Sequence, residues 1–196
     1  MPTADLPLFP LSTVLFPGGL MSLRIFETRY LDMIRDCARH GSGFGVCVIL
    51  AGNEAGDPAV PAAVGTLAHI VDFHVLSDGL LGIHARGSER FHVQRTHVRD
   101  NGLIHGDVAF RAESGIEPVP PEFTLLATIL ERFHEKAGGE HAQVERGRYD
   151  DAAWVGYRLA EALPLDRADQ QRLLQLDDPI DRLKLLMYLL LRFQNA

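Results

Sequence analysis

Nine histidines in this chain are residues that could hold a metal ion. His69 and His74 are five positions apart, and so are His92 and His97. In a strand, an odd separation sends two side chains to opposite faces, so neither pair can chelate an ion by itself. Because the spacings also match no standard zinc pattern, we predict that the chain has no metal site.

Nucleophilic catalysis has little support in the residue pattern. None of the six serines lies in the Gly-x-Ser-x-Gly elbow that exposes a catalytic hydroxyl. A phosphate loop needs Gly-Lys followed by Ser or Thr, and neither Lys136 nor Lys184 follows a glycine. The stretch GSGFG at 41–45 follows a predicted helix, whereas a dinucleotide-binding loop opens one. We therefore predict no catalytic residue and no cofactor. Two alternatives stay open: a serine–lysine pair that the fold brings together, and a hydrolase that uses Ser88 or His92.

The charge balance argues against nucleic acid as a partner. Nineteen basic residues are outnumbered by twenty-six acidic ones, which gives a formal net charge of −7. Such a surface repels phosphate backbones on average, so RNA binding would need a local basic stripe. Four arginines could form one: Arg86, Arg90, Arg95 and Arg99.

The apolar opening LPLFPLSTVLFPGGLMSL, from Leu6, fits neither a secretory signal nor a membrane anchor. Asp5 is the only charged residue before Arg24, so the positive n-region of a signal peptide is missing. Three prolines would break a membrane-spanning helix, which needs about 20 apolar residues. We predict folded structure here, no membrane association, a cytoplasmic location, and reduced thiols at Cys37 and Cys47.

Short strands separated by glycine-rich turns are predicted for the first part of the sequence. Apolar patterns predict a helix at 27–39 and strands at 6–11, 20–25, 44–50, 65–76, 81–86, 90–94 and 103–110. Prolines in the first strand confine it to a sheet edge or to bulges. Gly87-Ser88 is predicted to turn the chain between two of the strands. The close spacing of the strands favours a closed or nearly closed antiparallel β-barrel.

The second part of the sequence is predicted to be helical. The proline-rich stretch ESGIEPVPPE, 113–122, is predicted to be a linker, so the domains are expected at 1–114 and 115–196. Start signals for four helices occur at Pro121, Asp150 or Asp151, Asp166, and Asp178.

Two of these helices carry apolar stripes that predict which side chains are buried. The first helix is expected to bury Phe123, Leu126, Leu130 and Phe133, and the last one Ile180, Leu183, Met187 and Leu190. Because the last helix is apolar nearly all round, it is expected at the centre of a helical bundle.

Several blocks of the sequence occur in an order that resembles a known family. LPLFPLSTVLFPGGLMSLRIFETRYLDMI contains a Leu-Pro-Leu-type strand, Phe-Pro-Gly, an apolar strand, and Phe-Glu with Arg-Tyr at a helix start. It is followed by VGTLAHI, SDGLLGIHARGSERFHV, DNGLIHGDVAF and the helical LPLDRADQQRLLQLDDPIDRL. These blocks resemble the amino-terminal, substrate-binding domain of Lon protease, which also heads stand-alone bacterial proteins. The resemblance implies an α+β fold: a PUA-like antiparallel β pseudo-barrel with one inserted helix, followed by a C-terminal helical bundle.

The resemblance also implies a function. The family domain is a non-enzymatic module that binds unfolded or exposed polypeptide segments, with a protease or chaperone as a candidate second partner. The ATPase and the Ser–Lys peptidase of full-length Lon have no counterpart in the sequence, so a stand-alone member without proteolysis is expected. RNA binding, which occurs in PUA-like folds elsewhere, is the alternative.

Four residues are the candidates for peptide contact: Arg24, Arg29, Tyr30 and Arg90. They lie near the junction of a strand and the first helix, or in the Arg-Phe block of the family. Tyr30 also fits core packing, because it lies on the apolar stripe of the helix. Arg90 also fits a role in ordering a turn through backbone carbonyls.

Overall fold

Six strands and five α-helices form an α+β arrangement in the computed structural model, which describes residues 4–112, 115–139 and 144–194. The chain divides into two compact units, Met1–Ala112 and Glu113–Ala196. The first two residues of the predicted linker, 113 and 114, lie outside the described residues. Within the described ranges, no helix has both the length and the apolar composition needed to span a membrane.

The first unit contains all six strands and one helix. They are β1 (Ala4–Leu11), β2 (Leu20–Ile25), α1 (Thr28–His40), β3 (Phe44–Ala51), β4 (Val60–Val75), β5 (Leu81–Val98) and β6 (Ile104–Phe110). The strand order is β2-β5-β4-β3-β1-β6, and β6 also pairs with β5. Five strands therefore close into a ring, and β2 pairs with residues 81–86 of β5, before the part of β5 that pairs with β6.

The first strand is not at a sheet edge, contrary to the prediction. Residues 8–11 pair with β3 in parallel, and residues 4–7 pair with β6 antiparallel. Each half of β1 is thus paired to one neighbour, so a proline whose nitrogen faces away from that neighbour removes no ladder hydrogen bond. The edge strand is β2 instead.

The predicted turn at Gly87-Ser88 is wrong, because β5 runs through it as one strand. The register with β4 shifts at this point, from Thr66 opposite Arg90 to Ala68 opposite Gly87, so the glycine marks a bulge rather than a turn. A Cβ atom at Gly87 would collide with the backbone carbonyl of Phe16. The glycine is therefore required by a close approach of two backbones.

The main core of the first unit lies between α1 and the sheet. Tyr30, Ile34 and Cys37, which follow the predicted helical spacing, are all buried and pack with strand residues such as Ile25 and Ile83. A second buried cluster surrounds Phe91. Both cysteines are free thiols.

The second unit is helical. Its elements are α2 (Thr124–Ala137), α3 (Ala152–Ala162), α4 (Arg167–Gln175) and α5 (Pro179–Gln194). The predicted start signals at the aspartates are confirmed: Asp151 accepts hydrogen bonds from two backbone N–H groups of α3, Asp166 accepts one from α4, and Asp178 accepts two from α5, at 2.7 and 3.3 Å. The signal at Pro121 begins a short 3-10 helix, Pro121–Phe123, and α2 follows it.

The predicted apolar stripes of α2 and α5 are partly wrong. Phe133 is exposed, and the next residue, His134, is buried in its place. On α5, the buried face carries Leu183, Leu186 and Leu189, while Tyr188 is exposed. Helix α5 is therefore not buried all round. Its apolar residues cover several faces, so periodicity alone could not select the buried one.

Candidate functional site

A depression of about 600 Å³ opens at one end of the first unit. It is lined by residues 26–29 at the start of α1, residues 56–58 in the β3–β4 loop, and residues 100–102 in the β5–β6 turn. Two of these segments are connections between elements and the third is the start of a helix, and rigid scaffolds present binding groups at such places.

Arg29 ties two of these segments together at the depression. Its guanidinium forms an ion pair with Glu27, with 2.9 Å between Nη2 and Oε2, and donates from Nη1 to the carbonyl of Gly102 at 3.1 Å. The same group lies 4.8 Å from the centre of the Tyr30 ring. Arg29 is itself buried, so these contacts fix its position.

Two buried polar atoms of the depression have no hydrogen-bond partner among the described residues: Oε1 of Glu27 and Nε of Arg29. A buried polar atom without a partner costs about 1–3 kcal/mol, so such atoms call for an explanation. One is an acceptor and the other a donor, which is the set that a backbone amide group complements.

The lining of the depression is acidic. Asp57 and Asp100 add to Glu27, while Arg29 is the only basic residue among the ten that form it. The field in the depression therefore favours a neutral or positively charged ligand.

Strand β2 leads directly into the depression and offers a free edge. Of the strands that the structure describes, it pairs with β5 alone. The residue that follows it, Phe26, lines the depression with 55% of its surface exposed. An exposed phenylalanine beside an unpaired strand edge supplies apolar contact area next to unpaired backbone groups.

The four predicted contact residues lie in three different environments. Arg29 and Tyr30 come together, but Tyr30 is buried in the core and stacks on Phe9 with 4.0 Å between ring centres. Burial raises the pKa of Tyr30. Arg24 is exposed on β2 and pairs with Asp78 at 2.7 Å. Arg90 is fully buried in β5.

The four arginines proposed as a basic stripe do not form one. Arg90 is buried, and the charges of Arg95 and Arg99 are paired with Asp107 at 3.0 Å and with Asp5 at 2.7 Å. Arg86 donates to a backbone carbonyl. A phosphate backbone would thus meet no continuous positive surface along these residues.

The nucleophilic side chains have structural partners. Burial raises the pKa of Cys47 to about 12 and also raises that of Cys37, so neither thiol is activated. Ser88 donates to the carbonyl of Leu67. Ser22 on β2 lies 2.9 Å from Nδ1 of His84 on β5, a contact that ties the edge strand to its neighbour. The sequence could not reveal this pair, because it depends on the register between the two strands.

Comparison with known proteins places these features in a family. Residues 5–192 match the model of the ATP-dependent protease La (LON) substrate-binding domain. A LON peptidase N-terminal domain and RING finger protein from Schizosaccharomyces pombe is 26% identical over 97% of this chain and 46% of its own length. The chain spans less than half the length of the curated relatives it matches.

Two solved structures are similar to this chain. The crystal structure of a Lon N-terminal domain protein from Xanthomonas campestris is 49% identical, with a TM-score of 0.80, covering 94% of this chain and 98% of that one. The N-terminal domain of a Mycobacterium avium complex Lon protease is 16% identical with a TM-score of 0.68, covering 94% and 96%. The second likeness concerns the fold alone.

Proposed function

The chain belongs to the ATP-dependent protease La (LON) substrate-binding domain family, and from this premise we propose that it binds extended polypeptide segments without chemical turnover. The proposed site is the depression at Arg29 together with the free edge of β2. The observation that carries the proposal is the pair of unpartnered buried atoms, Glu27 Oε1 and Arg29 Nε, beside the exposed Phe26.

Each part of the site has a role in binding an extended segment. The edge of β2 supplies backbone hydrogen bonds, as in other cases where a peptide adds a strand to a sheet. The Phe26 ring supplies apolar contact, and the acidic lining favours segments with a basic residue among apolar ones. The two unpartnered atoms, an acceptor and a donor, bond the N–H and the C=O of one residue of the bound segment.

In this proposal the four predicted contact residues have different roles, which follow from their positions. Arg29 contacts the segment, and Arg24 borders the site on β2. Tyr30 and Arg90 act from within the fold, Tyr30 by holding the Arg29 guanidinium and Arg90 from the interior of β5.

From membership of this family we also propose the finer architecture and the cellular location. The first unit is a PUA-like pseudo-barrel and the second a helical bundle, with domains at 1–114 and 115–196. The protein acts in the cytoplasm and passes bound polypeptides to a protease or chaperone. The closed ring of five strands supports the pseudo-barrel, and the four helices of the second unit support the bundle.

The test of this function is a change of Phe26 to alanine. Because truncating an aromatic contact residue commonly costs more than 1 kcal/mol, F26A is expected to weaken binding of a reduced, carboxymethylated, permanently unfolded protein at least about fivefold. Fluorescence anisotropy of the labelled unfolded protein gives the affinity.

The matched control is Phe133→Ala. Phe133 is 45% exposed on α2, in the other unit, so it presents a similar ring away from the proposed site. F133A is expected to bind like the unchanged chain. Equal affinity for F26A and the unchanged chain would place the site elsewhere, and no binding by the unchanged chain would remove the proposed function.

A further inference from the structure

Three potential metal ligands come together on the outside of the strand ring, where β1, β6 and β5 adjoin. His97 of β5 lies directly opposite His105 of β6, and Asp5 reaches the same place from β1 on the other side of β6. Of the His, Cys, Asp and Glu side chains that the structure describes, these three form a group whose ligand atoms all lie within 4.8 Å of one another.

The distances suit a tetrahedral divalent ion. Zinc bonds to imidazole nitrogen and carboxylate oxygen are about 2.0–2.2 Å long, so two ligand atoms at a tetrahedral angle lie about 3.3–3.6 Å apart. Oδ1 of Asp5 lies 3.1 Å from Nδ1 of His105 and 3.7 Å from Nε2 of His97. The two observed distances bracket the expected one, and all three ligand atoms lie within 4.8 Å of one another.

An ion would replace the hydrogen bonds of Nδ1 of His105 to Asp5, which are 3.1 Å long to Oδ1 and 3.2 Å to Oδ2, together with their proton. The separation between His97 and Asp5 is longer than an ordinary hydrogen bond, and Nδ1 of His97 is buried without a partner in the described part of the chain. Arg99 holds the other oxygen of Asp5, Oδ2, at 2.7 Å and so orients the carboxylate. Such outer contacts fix the ligands of metal sites.

We propose that Asp5, His97 and His105 form a binding site for Zn²⁺ or a similar divalent transition metal. Two imidazoles and one carboxylate are the donors that such ions accept, with a further position left to water. The side chains of Asp5 and His97 are 43% and 37% exposed, so an ion reaches the site from solvent. The positive charge of Arg99 opposes the ion and makes this a site of moderate affinity.

The site has a structural consequence, because it links three strands at the place where the ring closes. Strand β6 forms that closure by pairing with both β1 and β5. An ion bound by one residue from each strand stabilises the folded state by an amount that grows with the logarithm of the free ion concentration once that concentration exceeds the dissociation constant.

The test is isothermal titration of the metal-free chain with Zn²⁺. The unchanged chain is expected to bind one ion saturably, and H97Q and H105Q are each expected to weaken binding at least about tenfold. His84→Gln is the matched control, since His84 also lies on β5 beside a second histidine, His74, with 4.6 Å between ring centres. H84Q is expected to bind like the unchanged chain.

A second measurement covers the case in which a variant fails to fold. Nuclear magnetic resonance of the unchanged chain is expected to show Zn²⁺ shifting the ring signals of His97 and His105 first. Absence of saturable binding, equal binding by H97Q and H105Q, or first shifts at His74 and His84 would each overturn the proposal.

Discussion

Replacing Arg182 with leucine is expected to lower the free energy of unfolding of the second unit by about 3–5 kcal/mol. Arg182 is fully buried on α5. Its Nε donates to the carbonyl of Leu173 at 3.1 Å, and its Nη2 donates to the hydroxyl of Tyr157 at 3.0 Å and to the carbonyl of Leu176. Leucine would remove all three donated hydrogen bonds, at about 1–3 kcal/mol for each acceptor left unsatisfied.

The guanidinium of Arg182 also stacks 4.0 Å from the centre of the Tyr157 ring, a contact that leucine cannot replace. Urea denaturation followed by helical circular dichroism measures the loss. Lys184→Leu is the matched control, because Lys184 is exposed on the same helix and makes a surface ion pair with Asp181, which solvent screens and which therefore contributes little to stability. A loss below about 1 kcal/mol for R182L would show that this buried network does not hold the helices together.

The second large effect is expected for Gly65→Ala in the first unit. Gly65 lies on β4, where a Cβ atom would be 2.6 Å from the sulfur of Cys47, 2.7 Å from the Phe91 ring, and in collision with the backbone carbonyl of Val46. The carbonyl of Val46 belongs to the backbone of β3 and cannot rotate away, so β3 and β4 must separate. Overpacking of this kind costs about 1–3 kcal/mol and occasionally more, so we expect a loss of at least about 2 kcal/mol.

Thermal unfolding of the first unit measures this loss. Gly147→Ala is the control, since among the described residues, apart from its chain neighbours, no atom lies within 4 Å of a Cβ built there. We expect G147A to unfold at the temperature of the unchanged chain, within about 1 °C, because it removes no contact. An unchanged unfolding temperature for G65A would mean that β3 and β4 are not packed as closely as the structure has them.

Much of the fold follows from patterns that depend on neighbouring residues. Alternation of apolar residues predicts β2 and β6, and the spacing of Tyr30, Ile34 and Cys37 predicts α1. Aspartates predict the starts of α3, α4 and α5, because a capping carboxylate bonds to N–H groups two or three residues away. These signals are local, so the sequence alone carries them.

The errors arise where distant parts of the chain decide the structure. Gly87 resembles a turn residue, but a carbonyl from residue 16, which lies far away in the sequence, makes glycine necessary inside a strand. The prolines of β1 suggest an edge, yet the chain can pair each half of that strand with a different neighbour.

The candidate site was predicted in part. Arg29 was identified from its place in the resemblance, and it does lie in the depression. Phe26 was overlooked, although a phenylalanine between a strand and a helix start is a signal that could have drawn attention to it. Asp57 and Asp100 come from loops whose approach to α1 no local pattern reveals. The cluster of Asp5, His97 and His105 depends in the same way on strand register.

The most direct test of polypeptide binding at the β2 edge is amide hydrogen exchange, with and without the reduced, carboxymethylated unfolded protein. The free ligand is held at ten times the dissociation constant. Those amides of residues 20–26 that donate hydrogen bonds to the bound segment are then expected to exchange about tenfold more slowly. Residues 45–47 of β3, which pair on both sides, are expected to exchange at an unchanged rate. Unchanged exchange at residues 20–26 while the ligand is demonstrably bound would contradict the account.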